Sequence, residues 1–218
     1  MPTKRNQIAV LVCALPALLA VFAPSVLSAA ASATTQIHLV DWKDVSVPGV
    51  VCEAPHAIRL RNGSATINSP AGLVTMTSRV VARETTVVFG NLEGDRDDAA
   101  AVNVSCSSPG GTADGEIADS WVIYRSQGSA LRILGTLAPK QPAETGLPHV
   151  PYFDISSGGL TLRPGRITVR EVWYGAGDAT CCPSEAATTV WTVGHRGALT
   201  AISTTTSTRP GAAHGTST

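Results

Sequence analysis

The stretch Leu160-Thr-Leu-Arg-Pro-Gly-Arg-Ile-Thr-Val-Arg-Glu-Val-Trp-Tyr-Gly-Ala-Gly-Asp-Ala-Thr-Cys-Cys-Pro-Ser184 sets the character of the chain. Leu160 to Arg163 alternates apolar with polar residues, Pro164-Gly165 interrupts, and Ile167 to Trp173 resumes the alternation. This pattern predicts strand, tight turn, strand. The second strand then runs through a glycine-containing bend into two adjacent cysteines, which read as a disulfide anchor.

The same pattern recurs on both sides of this stretch. Toward the N-terminus, Ile37-His-Leu-Val and Val45 to Cys52 are rich in β-branched residues, and Pro48-Gly49 suits a turn or a sheet edge. Asn62-Gly63 is a strong two-residue turn signal between Ile58-Arg-Leu-Arg and Ser64-Ala-Thr-Ile, and it predicts a hairpin over 57–67. Further strands are expected over 73–83, 85–90, 99–106, 117–124 and 131–137. Four prolines between Pro139 and Pro151 predict an irregular connector, and Ala187 to Val193 predicts a closing strand. No long amphipathic helix competes with these. The chain is therefore expected to be mainly β, a single antiparallel domain that is sandwich-like or a curled sheet, with long irregular loops. Strand order is left open.

The two ends read differently from the middle. Lys4 and Arg5 precede an apolar run from Ile8 to Phe22, and Ala31-Ser32-Ala33 precedes Thr34, the three parts of a secretory signal peptide over 1–33. Pro16 and Pro24 argue against a retained membrane span. Cys13 follows Val12 near the start of the run, which is not the arrangement of a lipidation site. A secreted β-rich domain is expected over 34–202. The tail over 203–218 is rich in Ser, Thr, Gly and Pro and is expected to be disordered. Removing the signal leaves 14 basic against 16 acidic residues, a net charge of −2. Such a charge gives no electrostatic case for nucleic acid or an anionic membrane surface.

Cys52, Cys106, Cys181 and Cys182 remain after processing, an even set that suits an oxidising compartment. Four cysteines allow three connectivities. A direct Cys181–Cys182 bond closes a strained ring, so both are expected to reach outward to Cys52 and Cys106.

Among candidate sites, the acidic turn is the sharpest. Asn91, Glu93, Asp95, Asp97 and Asp98 offer side-chain oxygens around Gly94, the donor type that calcium takes. The competing account is an exposed polar hairpin that keeps a sheet edge soluble. Glu171 and Asp178 flank the cysteine anchor as a carboxylate pair, the minimal equipment of a glycosidase. Their ordinary reading is a solvated strand face for Glu171 and a turn cap for Asp178. Zinc prefers Cys-x2-Cys spacing and nearby histidine, and His38, His56, His149, His195 and His214 share no ligand spacing. No Gly-x-Ser-x-Gly elbow marks a nucleophile. Trp42, Trp121, Trp173 and Trp191 are expected to fill the core rather than a groove. Asn62-Gly-Ser and Asn103-Val-Ser match the glycosylation pattern but are expected to serve as turn and strand residues.

The acidic turn resembles the loops of FG-GAP-type calcium-binding repeats over about ten residues, departing from them at Asn91 and Arg96. Over roughly 42–199, the segments Val88-Phe-Gly-Asn-Leu-Glu-Gly-Asp, Gly110-Gly-Thr-Ala-Asp-Gly, His149-Val-Pro-Tyr and Tyr174-Gly-Ala-Gly-Asp-Ala-Thr-Cys-Cys-Pro-Ser together resemble uncharacterised secreted proteins of actinobacteria. The Asp178-Ala-Thr-Cys-Cys-Pro-Ser part of the last segment is also similar to LppP/LprE-type envelope lipoproteins. That resemblance implies export and a non-enzymatic role at the cell envelope, and it supplies no active site. The expected function is thus an exported, disulfide-stabilised binding or structural protein, monomeric, with an envelope or extracellular ligand. A secreted hydrolase and a calcium-dependent adhesion module are the alternatives.

Overall fold

The computed structural model describes residues 37–70, 72–78, 87–93, 98–108, 116–127, 130–140, 152–155, 158–175, 178, 183–194 and 197–208. All belong to one compact unit, Ala31–Thr218. Thirteen strands are described, and every pairing among them is antiparallel. The short β1 (Ser46–Val47) and β2 (Ile58–Arg59) pair with each other around a 3-10 turn at Gly49–Cys52.

A six-stranded sheet is centred on β6 (Ala99–Ser107). One edge of β6 is covered by β7 (Glu116–Gln127), which pairs in turn with β8 (Ala130–Leu137). Its other edge is shared end to end. β5 (Val87–Gly90) pairs with the first half of β6 and β4 (Gly72–Ser78) with the second, and β3 (Ser64–Ser69) closes the row on β4.

The five-stranded sheet repeats this device around β11 (Arg166–Trp173). On one side β11 meets β12 (Glu185–Val193) and, beyond it, β13 (Leu199–Thr208). On the other side it is shared between β10 (Leu160–Arg163) and β9 (Tyr152–Phe153).

Side-chain alternation on β6 and β7 explains how one sheet serves two cores. Ala100, Val102, Val104, Cys106, Val122 and Tyr124 face the N-terminal segment, where Ile37, Trp42, Val45, Val47 and Leu60 cover them. Ala99, Ala101, Trp121 and Ile123 face the other way and pack on Leu160, Leu162, Ile167, Val169 and Trp191 of the second sheet. Buried on both faces, β6 is apolar from Ala99 to Val104 except at Asn103.

The two sheets come into close contact at Gly90. An added Cβ there would lie 2.6 Å from Leu162 Cβ and 2.8 Å from its carbonyl oxygen. Next to this contact, Gly165 N–H donates to Leu92 O at 2.8 Å.

The mainly β architecture is thus as the alternation predicts, and Pro164-Gly165 turns the chain between β10 and β11 as expected. Several details differ. Ile37 to Val40 forms a turn rather than a strand, and Val50 to Cys52 belongs to the 3-10 turn. Asn62 and Gly63 take positive φ values of 51° and 82°, and Arg61 bridges Ser64, so the turn is real. Its arms diverge, however: β2 joins β1, while β3 finds a six-residue register with β4. A longer ladder outweighs a local one.

Residues 203–208, expected as the start of a disordered tail, continue β13 against β12. A run of Thr and Ser is β-branched or small, and an edge strand needs no apolar side chains to keep its backbone hydrogen bonds. The remainder, 209–218, lies outside the described residues.

The cysteine expectation is also corrected. Cys52 bonds Cys106, with Cα atoms 5.6 Å apart. The 3-10 turn lies against β6, so neither sulfur is left to reach elsewhere. Cys181 and Cys182 lie outside the described residues.

Candidate functional site

Three groups of polar side chains stand out against these cores. The first is at the acidic turn after β5. Asn91 Oδ1 accepts from Glu93 N–H at 3.0 Å, and Asp98 Oδ1 accepts from Leu92 N–H at 2.7 Å, so both residues shape the loop itself. Arg125 on β7 ion-pairs with Glu93, and its Nε lies 3.9 Å from Asp98 Oδ2. A guanidinium therefore holds two of the four carboxylates that were expected to offer oxygens to calcium. Asp95 and Asp97, the other members of that set, lie outside the described residues. Among the described residues no group of three or more His, Cys, Asp or Glu side chains is arranged to hold a metal ion.

The second group is buried between the sheets and brackets the proline-rich connector. Asp119 on β7 is 3% exposed, and Glu171 on β11 is fully buried. Asn103 Nδ2 donates to Asp119 Oδ1 at 2.8 Å, and Phe153 N–H donates to Asp119 Oδ2 at 2.7 Å. Glu171 Oε2 accepts from Lys140 N–H at 2.7 Å. Lys140 is at the start of the connector and Phe153 follows it, so each end is tied by a main-chain N–H to a buried carboxylate. Charge-assisted bonds of this kind offset the cost of burying the charge. The Lys140 ammonium also lies over Trp191, 4.8 Å from the ring centroid.

Glu171 thus departs from its expected place on a solvated face. Its parity on β11 is that of Ile167 and Val169, which points it into the intersheet layer. Sequence reasoning missed Asp119 and Asn103. The available signal was a polar pair inside otherwise apolar runs, Ala99 to Val104 and Ile117 to Tyr124.

Asp178 forms the third group and is the turn cap it was expected to be. Its Oδ2 accepts from Gly175 N–H and Ser184 N–H, both at 2.7 Å. One carboxylate oxygen thus ties Gly175, before the cysteine segment, to Ser184, after it. Glu171 and Asp178 therefore each hold main-chain donors, which is a structural use of both carboxylates.

Trp42, Trp121 and Trp191 are buried, while Trp173 is half-buried. Asn103 is fully buried within β6, in agreement with its reading as a strand residue.

Two open surface cavities are bordered by described residues. One, of about 320 Å³, is bordered by Asp41, Asp44, Arg59, Tyr124, Leu131 and Ile133. The Tyr124 hydroxyl donates to Ser46 O at 2.8 Å beside it, and burial pushes this phenol well above its ordinary pKa. The other, of about 400 Å³, opens at the seam where β7 and β8 meet the end of β12, with Arg125 and Arg132 on its border.

Fold and site together define an antiparallel two-sheet β domain, with an N-terminal layer cross-linked to its larger sheet and buried carboxylates pinning its connector. No protein-family model, curated protein or solved structure matches the chain. Among the described residues no helix is long and apolar enough to cross a membrane.

Proposed function

We propose that this chain is an exported, disulfide-stabilised binding or structural domain of the bacterial cell envelope or extracellular space. One observation carries the reading. Cys52 and Cys106 are both within 1% of complete burial and are bonded to each other. A structural cross-link of this kind suits an oxidising compartment and is rare in a reducing cytosol. The N-terminal segment, with Lys4 and Arg5 ahead of an apolar run and Ala31-Ser32-Ala33 at its end, supplies the route.

The test is to produce the full chain in an actinobacterial host, fractionate the culture and analyse the protein without reduction. The expected product begins at Thr34 and yields a linked peptide pair containing Cys52 and Cys106. Protein retained in the cytoplasm with both thiols free would overturn the proposal. The rival hydrolase reading predicts turnover of a glycan, ester or peptide substrate that is lost when one acidic residue or serine is changed.

A further inference from the structure

We propose that the seam cavity binds a small organic monoanion, a carboxylate carried on a compact apolar body. The inference deepens the reading of the chain as an exported binding domain and rests on it.

The cavity lies where the two sheets meet and is about 400 Å³ in size, within the range of small-ligand sites. Leu92, Leu134 and Val193 supply apolar wall from three different elements. The local framework is firm. Gly165 N–H donates to Leu92 O at 2.8 Å, and Val193 N–H donates to Gly165 O at 3.1 Å, so two of those walls share one hydrogen-bonded turn. At the lip, Gly197 has a positive φ of 81°, and a Cβ there would stand 3.0 Å from Leu134 Cδ2. A side chain at Gly197 would be strained and would crowd that wall.

The charge on the border decides the ligand class. Arg125 is committed to Glu93 and Asp98. Arg132, on the neighbouring strand β8, has no ion-pair partner among the described residues and is exposed. Among the described residues the cavity therefore offers one uncommitted guanidinium beside apolar surface, while Glu93 is paired with Arg125. A planar guanidinium recognises a carboxylate through two parallel N–H bonds, a geometry that an ammonium or a neutral amide does not share. An anionic head at Arg132 leaves the ligand's apolar body to cover Leu134 and Val193.

The experiment uses the purified exported chain with its disulfide intact and three probes of one shape: 4-phenylbutyrate, 4-phenylbutanamide and 4-phenylbutylamine. Binding is followed by heteronuclear NMR and calorimetry. The expected result is saturable binding of 4-phenylbutyrate, with shifts at Leu134, Val193 and Gly197, and at least about tenfold weaker binding of the amide and the amine. Arg132→Gln should weaken 4-phenylbutyrate by about the same factor, and Arg132→Lys by less. Both variants should keep the wild-type circular dichroism spectrum, because Arg132 is exposed. Absence of saturable binding overturns the proposal, as does equal binding of amide and anion or unchanged affinity in Arg132→Gln. The binding assay is independent of location. Export without 4-phenylbutyrate binding refutes the pocket alone, and binding by a chain that stays in the cytoplasm refutes the export reading alone.

Discussion

Removing the covalent tie between the N-terminal layer and β6 should cost this domain much of its stability. Cys52 and Cys106 are 54 residues apart in sequence. In the chain-entropy account, a loop of that length restricts the unfolded ensemble by about 4 kcal/mol at room temperature. Typical domains are stable by about 5–15 kcal/mol, so the loss is a large share of the total. The expectation is sharpened by position. Cys106 lies among Val102, Val104 and Met76, and Cys52 lies beside Val51, so both alanines of a Cys52→Ala/Cys106→Ala variant would also leave small voids in the first core. Urea unfolding followed by tryptophan fluorescence measures the change. With a slope of about 2 kcal/mol per molar, the midpoint should fall by about 2 M. Wild-type protein in excess dithiothreitol should shift similarly, because it loses the same constraint. A shift equivalent to less than about 1 kcal/mol in both experiments would refute the view that the cross-link, rather than packing alone, secures the N-terminal layer.

Three further predictions follow from the same packing. Asp119→Ala orphans the buried Phe153 N–H and leaves Asn103 Nδ2 with only its longer bond, 3.4 Å, to Ser120 O. It should cost about 3 kcal/mol in denaturant unfolding and speed amide exchange at Phe153 more than at β11. Gly90→Ala drives a methyl group into Leu162 where the two sheets are in contact. It should destabilise by about 2 kcal/mol or more, whereas Gly158→Ala, which meets no atom within 4 Å, should cost only the strain of its positive φ. Tyr124 keeps its proton above the ordinary phenol range because burial disfavours the phenolate. The unfolded chain ionises first, near pH 10, so this contribution to stability is present below about pH 10 and is lost as pH rises beyond it. Tyr124→Phe should flatten that alkaline decline and cost about 1 kcal/mol at neutral pH through loss of the bond to Ser46 O. Unfolding midpoints measured across the alkaline range compare the two proteins directly.

Alternation was enough to locate most strands, because the period of a pleated strand is a local property. The stretch from Leu160 to Trp173 contains both strands and the turn between them, and each is recognisable without reference to any partner. The same locality explains the error at 203–208. A composition poor in apolar residues is a guide to whether a segment can build a core, and β13 adds to a sheet already built. Among the candidate site residues, Asp178 was legible because its bonds span only 3 and 6 residues. Glu171 shares the parity of Ile167 and Val169, but a charged side chain on that face is held there by Lys140 N–H, 31 residues away, a partner that no local pattern shows.

The amino-acid sequence by itself determined the mainly β, antiparallel character of the domain and its principal turns, since these depend on side-chain period, β-branching and the few residues that tolerate a tight turn. Tertiary structure alone decided the rest. It divided the edge of β6 between β4 and β5, paired Cys52 with Cys106 and buried Asp119 and Glu171 between two sheets. It also brought Arg132 beside a wall made partly by β12. Each of these joins residues distant in sequence, where the balance among competing long-range pairings, rather than any local preference, sets the outcome.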